Sequence, residues 1–90
     1  MAPRLKPLRS SQIRAARAAL RWTAEDLARE ASLGLNTVKR AELADDETSL
    51  TLSNDLALRR ALEAAGVIFI DENGISGPGL RLRKRPRKRS

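Results

Sequence analysis

The sequence "LAREASLGLNTVKRAE", residues 27–42, contains two short helical patterns joined by a turn of about four residues. Leu27 and Ala31 recur at the spacing of one helix face, and Val38 and Ala41 do so in the second pattern. Because the turn is short, the two helices must cross steeply, and Leu27, Ala31, Leu33 and Val38 can share one core. The second helix also carries another face, formed by Leu35, Asn36, Lys39, Arg40 and Leu43.

The residues on the N-terminal side of this pair predict one further helix. Ser10 or Ser11 can cap a helix that continues through QIRAARAALR and ends at Trp22. Thr23 then caps the first helix of the pair, with Asp26 in the acidic position of a capping box.

On the C-terminal side the pattern changes from helical to extended. Ser53 or Asn54 can cap a fourth helix, which stops at Gly66. VIFI is rich in β-branched residues, DENG is a turn signal and GLRLR alternates, so we predict strands at 67–71 and 79–83. An isolated hairpin is only marginally stable in water. We therefore expect the strands to pack on a helix, to pair with a second copy of the chain, or both.

The net charge of +7 comes from the two ends of the chain. Residues 1–9 and 81–90 hold ten of the 18 basic residues, whereas residues 10–80 hold eight basic and 11 acidic residues, a net charge of −3. We therefore predict a basic N-terminal arm over residues 1–9 and a disordered basic tail over residues 84–90. The tail has three possible roles: a clamp on DNA phosphates or the minor groove, a site for RNA or an acidic partner, or a solubilising end.

Composition excludes several kinds of site. The chain has no cysteine and no histidine, which rules out a disulfide framework, a thiol nucleophile, a zinc site and a histidine base. No glycine-rich phosphate loop leads into a helix, and the carboxylates at residues 25–30 fit a solvated helix face. We expect no enzymatic activity, no catalytic residue, no metal and no cofactor. No run approaches the ~18 apolar residues that a membrane span needs, so we expect a soluble, cytoplasmic protein without membrane contact.

The stretch 27–42 resembles the helix-turn-helix of the Cro/phage-repressor family, also called the xenobiotic-response-element family. Its usual pattern is roughly L-A-x-x-A-G-V-S-x-x-T-I-x-x-I-E. The identical positions are Leu27, Ala28, Ala31, Thr37 and Glu42, and the conservative ones are Leu33 and Val38. The resemblance extends over roughly residues 10–83, from IRAARAALRWTAEDLA to LRRALEAAGVIFIDENG. It implies a mainly α, lambda-repressor-like domain of four helices, followed here by a short C-terminal β-strand pair and the basic tail.

For function, the resemblance implies sequence-specific binding to double-stranded DNA. Proteins of this family are transcriptional regulators, and they usually bind as dimers. The expectation is a homodimeric repressor that reads a palindromic operator with helix 35–42 in the major groove. Arg40 suits a guanine and Asn36 an adenine, while Leu35, exposed in the free chain, could meet a thymine methyl group. The expected base contacts are Leu35, Asn36, Lys39 and Arg40. The expected phosphate contacts are Thr23, Thr37, Lys84, Arg85, Arg87, Lys88 and Arg89.

The resemblance also implies an ion pair between Arg17 in the first helix and Glu42 at the end of the third. Two positions depart from the family's pattern: Ala24 stands where a glutamine is common, and Ser32 stands where glycine is common. Ser32 would carry some strain if its φ were positive.

The loop after the third helix is a further departure, because Asp45, Asp46 and Glu47 would repel phosphates. An alternative is therefore a protein-interaction module on the same scaffold, antitoxin-like or an anti-activator. Leu35 and Leu43 would then form a patch for a second regulatory protein.

These observations divide the chain into four parts. The basic arm (1–9) precedes a helix-turn-helix domain over 10–66, then a strand region over 67–83 that serves dimerisation, and the basic tail (84–90). The expected partners are DNA and a second copy of the chain, and the expected location is the cytoplasm, at the nucleoid.

Overall fold

The computed structural model describes residues 6–45 and 48–84. The described residues form four helices and one two-stranded antiparallel sheet, and the fold is mainly helical, which confirms this level of the prediction. The elements are α1 Ser10–Leu20, α2 Ala24–Ala31, α3 Leu35–Leu43, α4 Leu52–Ala64, β1 Val67–Ile70 and β2 Gly79–Leu82.

One apolar core lies where the buried faces of the four helices meet β1. Its residues are Leu8, Ile13, Ala16, Leu27, Ala28, Ala31, Val38, Ala41, Leu58, Leu62 and Val67. Leu27, Leu58 and Leu62 have no exposed surface. Each buried leucine contributes about 1.5–3 kcal/mol relative to an exposed one, so these three side chains supply much of the core's stabilisation.

Helix α1 starts differently from the prediction. Its N-cap is Arg9 rather than Ser10 or Ser11, and the Arg9 backbone N–H donates to Oε1 of Gln12 at 3.0 Å. The Ser10 hydroxyl is already engaged elsewhere, because it donates to the carbonyl oxygen of Ala44 at 2.9 Å. The Ser10 side chain, which local sequence rules assign to the N-cap, therefore forms a long-range hydrogen bond instead.

Helix α4 also starts earlier than predicted. Thr51, not Ser53 or Asn54, is the N-cap, and its hydroxyl oxygen accepts a hydrogen bond from the Asn54 backbone N–H at 3.1 Å. The other end agrees with the sequence, since the chain leaves the helix at Gly66 with a φ of 112°. This backbone conformation favours glycine because no Cβ is present to clash.

Helices α1 and α2 end in the same kind of turn, although neither turn has a glycine. The first has Arg21 at φ 60° and ends α1 at Leu20, two residues before the predicted end at Trp22. The second has Ser32 at φ 58°, and its N–H donates to the carbonyl of Arg29 at 3.2 Å. Both therefore follow the Schellman pattern with a non-glycine residue in the left-handed region.

Replacing Ser32 with glycine should stabilise the protein by up to about 1 kcal/mol. The left-handed conformation costs a residue with a Cβ about 1–2 kcal/mol, whereas glycine loses about 0.5–1 kcal/mol of backbone entropy on folding. Thermal unfolding should show Tm raised by several degrees. Ser32→Ala is the control, because it keeps the Cβ and should bring no gain. A glycine variant no more stable than the alanine variant would contradict the strain assigned to this turn.

The predicted capping box of α2 is present. The Thr23 hydroxyl oxygen accepts from the Asp26 N–H at 2.9 Å, and Oδ2 of Asp26 accepts from the Thr23 N–H at 2.9 Å. Oδ1 of Asp26 also pairs with Arg29 at 2.8 Å. The Thr23 backbone N–H, and after it the Arg29 hydrogen bond, hold the pKa of Asp26 below its usual value.

This lowered pKa predicts a pH-dependent contribution to stability. A carboxylate whose pKa falls on folding stabilises the native state above its unfolded pKa, and the stabilisation is lost as pH falls through about 4 and below. The Tm difference between the native chain and Asp26→Asn should therefore shrink between about pH 5 and pH 2. Thermal unfolding of both proteins across that range measures it. A difference that stays constant with pH would mean that the Asp26 charge contributes nothing.

The predicted N-terminal arm is wrong in its last four residues, because the chain from Lys6 to Arg9 is docked on the body. Leu8 is 1 % exposed, and its N–H donates to Oδ1 of the buried Asp55 at 2.9 Å. Nη2 of Arg59 donates to the Lys6 carbonyl at 2.6 Å. Two charged side chains of α4 thus bind the arm's backbone, which no local sequence pattern indicates. Residues 1–5 lie outside the described residues.

The predicted strands pair with each other within the chain. Val67 lies opposite Leu82 and Phe69 opposite Leu80, and these four side chains share one face of the hairpin. The Phe69 ring packs on α4, where the Arg59 guanidinium lies 5.4 Å from its centroid. Both strands are one residue shorter than predicted, since β1 ends at Ile70 and β2 at Leu82.

Candidate nucleic-acid interface

Helices α2 and α3 meet through a three-residue turn that fixes their relation. The Leu33 N–H donates to the Ala28 carbonyl at 2.9 Å, which closes the end of α2. Gly34 is the N-cap of α3, and its carbonyl accepts from Thr37 at 3.1 Å and from Val38 at 3.3 Å. Since Val38 has no exposed surface, the inner side of α3 is anchored in the core and the opposite side faces outward.

The outward side carries three of the four predicted base-contact residues. Asn36, Lys39 and Arg40 are all exposed, and their spacing of three and four residues places them beside one another. In the described part of the chain, neither cation takes part in an ion pair. These side chains are therefore free to donate hydrogen bonds to a ligand.

The expectation that Leu35 is exposed is wrong, because its side chain is half-buried. Residues three apart on a helix lie about 60° from each other, so Leu35 borders the side that Val38 buries. Leu43, on the same outward face, is 80 % exposed. The apolar character of this face thus comes from the end of α3 rather than from its start.

The two predicted phosphate-contact threonines lie at different places. Thr23 is exposed at the start of α2; its oxygen accepts from Asp26, which leaves the hydroxyl hydrogen available to donate. Thr37 is half-buried and, with Arg40, lines a groove against the chain at residues 48–51. Three more hydroxyl groups, from Thr48, Ser49 and Thr51, line the same groove. The groove thus combines hydroxyl groups with the cationic residue Arg40.

Arg17 and Glu42, for which the resemblance implies an ion pair, are in bidentate contact. Nε of Arg17 lies 2.8 Å from Oε2 of Glu42, and Nη2 lies 3.1 Å from Oε1. The Glu42 side chain is 9 % exposed and that of Arg17 is 28 % exposed. Nη1 of Arg17 also donates to the Trp22 carbonyl at 2.9 Å. One guanidinium therefore holds the end of α3 to α1 and to the segment that leads into α2.

Sequence reasoning missed a second arginine at this junction. Nη1 of Arg14 donates to the backbone carbonyl of Glu42, near the C-terminal end of α3. The signal in the sequence was the spacing, because Arg14 and Arg17 are three residues apart and so lie on one side of α1. A cation at a helix C-terminus also interacts favourably with the helix dipole.

The charged segments on either side of this surface are described only in part. Lys84 is exposed, whereas the other predicted tail contacts, Arg85, Arg87, Lys88 and Arg89, lie outside the described residues. Asp45 is exposed directly after α3, and the other two acidic residues of that loop also lie outside them.

Within 6–45 and 48–84, no three Asp or Glu side chains are grouped closely enough to hold a metal ion. No helix in the same ranges is both long and apolar enough to cross a bilayer.

Comparison of the chain with protein-family models, curated proteins and solved structures gives no significant match.

Proposed function

We propose that this protein is a sequence-specific DNA-binding transcriptional regulator of the helix-turn-helix type. In this proposal α2 and α3 are the helix-turn-helix, and α3 enters the major groove. The observation that carries it is the rigid presentation of Asn36, Lys39 and Arg40. These exposed side chains stand on a helix that the Arg17–Glu42 pair and the core hold in place.

The chemistry of each side chain fits a base edge or a phosphate. Arg40 can donate two hydrogen bonds to a guanine, and Asn36 can pair with the edge of an adenine. Lys39 can reach a phosphate or a base. The Thr23 and Thr37 hydroxyls can donate to the backbone, which would fix the orientation of α3 on the duplex. Because residues 10–80 carry a net charge of −3, α3 and the basic ends must supply the attraction.

We further propose that the protein acts as a dimeric repressor on a palindromic operator, with half-sites about one helical turn apart. The strand region 67–83 is the proposed contact between two copies. Ile68 and Ile70 point away from the inner face of the hairpin and are 39 % and 40 % exposed. No third strand pairs with this hairpin within the described ranges, so its edges are also open to a strand of a second copy.

The test is a selection of bound duplexes from a random pool by the full chain. DNA reading by α3 predicts an enriched motif with two-fold symmetry and two half-sites. A bound pool that remains random in sequence would contradict the proposal.

A protein-interaction module is the second candidate, and Leu43 favours it. Leu43 is 80 % exposed beside Arg40, and the exposed Asp45 follows two residues later. Such a surface suits a partner protein with an apolar contact and a basic neighbour. A selection without an enriched motif would favour this role over DNA reading. The patch would then centre on Leu43, since Leu35 is half-buried.

A further inference from the structure

A groove separate from α3 lies where the C-terminal ends of α1 and α4 meet the end of β2. Its volume is about 620 Å³, and its lining includes the small residues Ala64, Ala65 and Gly66. Three cations, Arg21, Arg83 and Lys84, also line it, and no acidic residue of the described ranges does.

These cations differ from the arginines of the fold that form ion pairs. Arg9, Arg17, Arg29 and Arg59 each contact a carboxylate within 4.0 Å. By contrast, Arg21, Arg83 and Lys84 are all exposed, and none forms an ion pair with a described residue. The groove therefore has three positive charges that the folded body does not neutralise.

The backbone at Arg21 has the same left-handed conformation as that at Ser32. Its φ of 60° is the conformation in which glycine ends helices without strain. Its N–H donates to the Ala18 carbonyl at 3.0 Å, a hydrogen bond that any residue except proline would make. The structural requirement at this position favours glycine, so the guanidinium is present at a conformational cost.

We propose that this groove binds the phosphate backbone of duplex DNA, as a second contact beside the base-reading helix. The inference rests on the proposed function, because it places the groove on the same duplex. Arg21 lies two residues before Thr23, the N-cap of α2, and Lys84 leads directly into the basic tail. The groove thus lies next to the start of α2, and the sequence that follows Lys84 holds four further cations at residues 85–89. Arg21, Arg83 and Lys84 act as backbone contacts that add affinity without sequence preference.

The test measures the salt dependence of binding to a duplex of random sequence. The full chain is compared with Arg21→Gly, with the triple variant Arg21→Gly/Arg83→Ala/Lys84→Ala, and with Arg60→Ala. Arg60 is the matched control, because it is an exposed cation on α4 outside the groove lining. Each lost phosphate contact should lower the slope of log K against log salt by about 0.9. We expect a decrease of about 0.9 for Arg21→Gly, about 2.7 for the triple variant and none for Arg60→Ala.

Thermal unfolding separates this role from a structural one. If Arg21 served to balance the dipole at the end of α1, glycine there would lower Tm. The proposal predicts a Tm that is unchanged or raised, together with the reduced slope. If the triple variant has the same slope as the native chain, the groove's role is overturned. A decrease in slope for Arg60→Ala as large as that for Arg21→Gly would also overturn it.

Different results would overturn this inference and the proposed function. If the chain enriches a motif and the slope of the triple variant is unchanged, only the role of the groove is overturned. A slope that falls as predicted, for a chain that enriches no motif, would support the groove and overturn sequence reading by α3. A native chain with no measurable affinity for duplex DNA would overturn both.

Discussion

Glu42→Ala should destabilise the fold by about 2–3 kcal/mol. Removing one partner of a fully buried ion pair costs about 3–5 kcal/mol, because the other charge is left without compensation. Here Glu42 is 9 % exposed but Arg17 is 28 % exposed, so solvent recovers part of that cost. For a domain of this size, Tm should fall by roughly 10–20 °C.

Glu63→Ala is the matched control for this experiment. Glu63 also pairs with an arginine, but its carboxylate lies 3.9 Å from Nη1 of Arg59 and is 46 % exposed. Arg59 is 8 % exposed, but because the contact is long and Glu63 itself is well exposed, the pair should contribute about 0–1 kcal/mol. Chemical denaturation of both variants should therefore give a loss several times larger for Glu42→Ala. Equal losses would mean that the Arg17–Glu42 contact does not fix α3 in place.

Arg40→Ala should remove discrimination at one base pair of each half-site and leave the fold intact. A bidentate arginine–guanine contact is worth about 1–3 kcal/mol of discrimination, or roughly 10–100-fold in affinity between the right and wrong base. Arg40 is exposed and has no partner within the described ranges, so its loss costs little stability. Fluorescence anisotropy with the selected duplex and with single-base variants measures the change.

The comparison variant for Arg40 is again Arg60→Ala, which removes the same charge from α4. It should weaken binding little and leave the preference at every position unchanged. A uniform loss of affinity in Arg40→Ala, with its base preferences intact, would make Arg40 a phosphate contact and would move specificity to Asn36 or Lys39.

Local rules in the sequence predict those elements whose determinants are close along the chain. Thr23 and Asp26 form their capping box three residues apart, and Gly66 ends α4 where its positive φ is needed. The inward positions Leu27 and Val38 follow from helical spacing alone, and both are completely buried. For such features, the residue types and their spacing contain the whole physical cause.

Two of the errors come from contacts between residues far apart in the chain. Ser10 is not a cap, because its hydroxyl bonds to Ala44, which is 34 residues away. The arm is docked because Leu8 meets Asp55, which is 47 residues away. Such a contact joins two isolated residues and produces no repeat in the sequence, so no periodic pattern predicts it.

In the candidate site, too, local spacing predicts some features correctly, and others depend on the surrounding structure. Helical spacing correctly places Asn36 and Arg40 on one exposed face. It predicts the exposure of Leu35 wrongly, because Leu35 lies at the border of two helix faces. The exposure of such a residue depends on what the neighbouring turn covers. The αL conformation of Arg21 is likewise visible only in the structure, since an arginine gives no signal for a positive φ.

The most direct test of DNA reading by α3 is a selection of bound duplexes with residues 85–90 deleted. If α3 carries the specificity and the tail adds only affinity, the shortened chain will enrich the same two-fold motif as the full chain, with weaker binding at high salt. Loss of the motif together with the tail would contradict that role, and the face around Leu43 would then be the place to look for a partner protein.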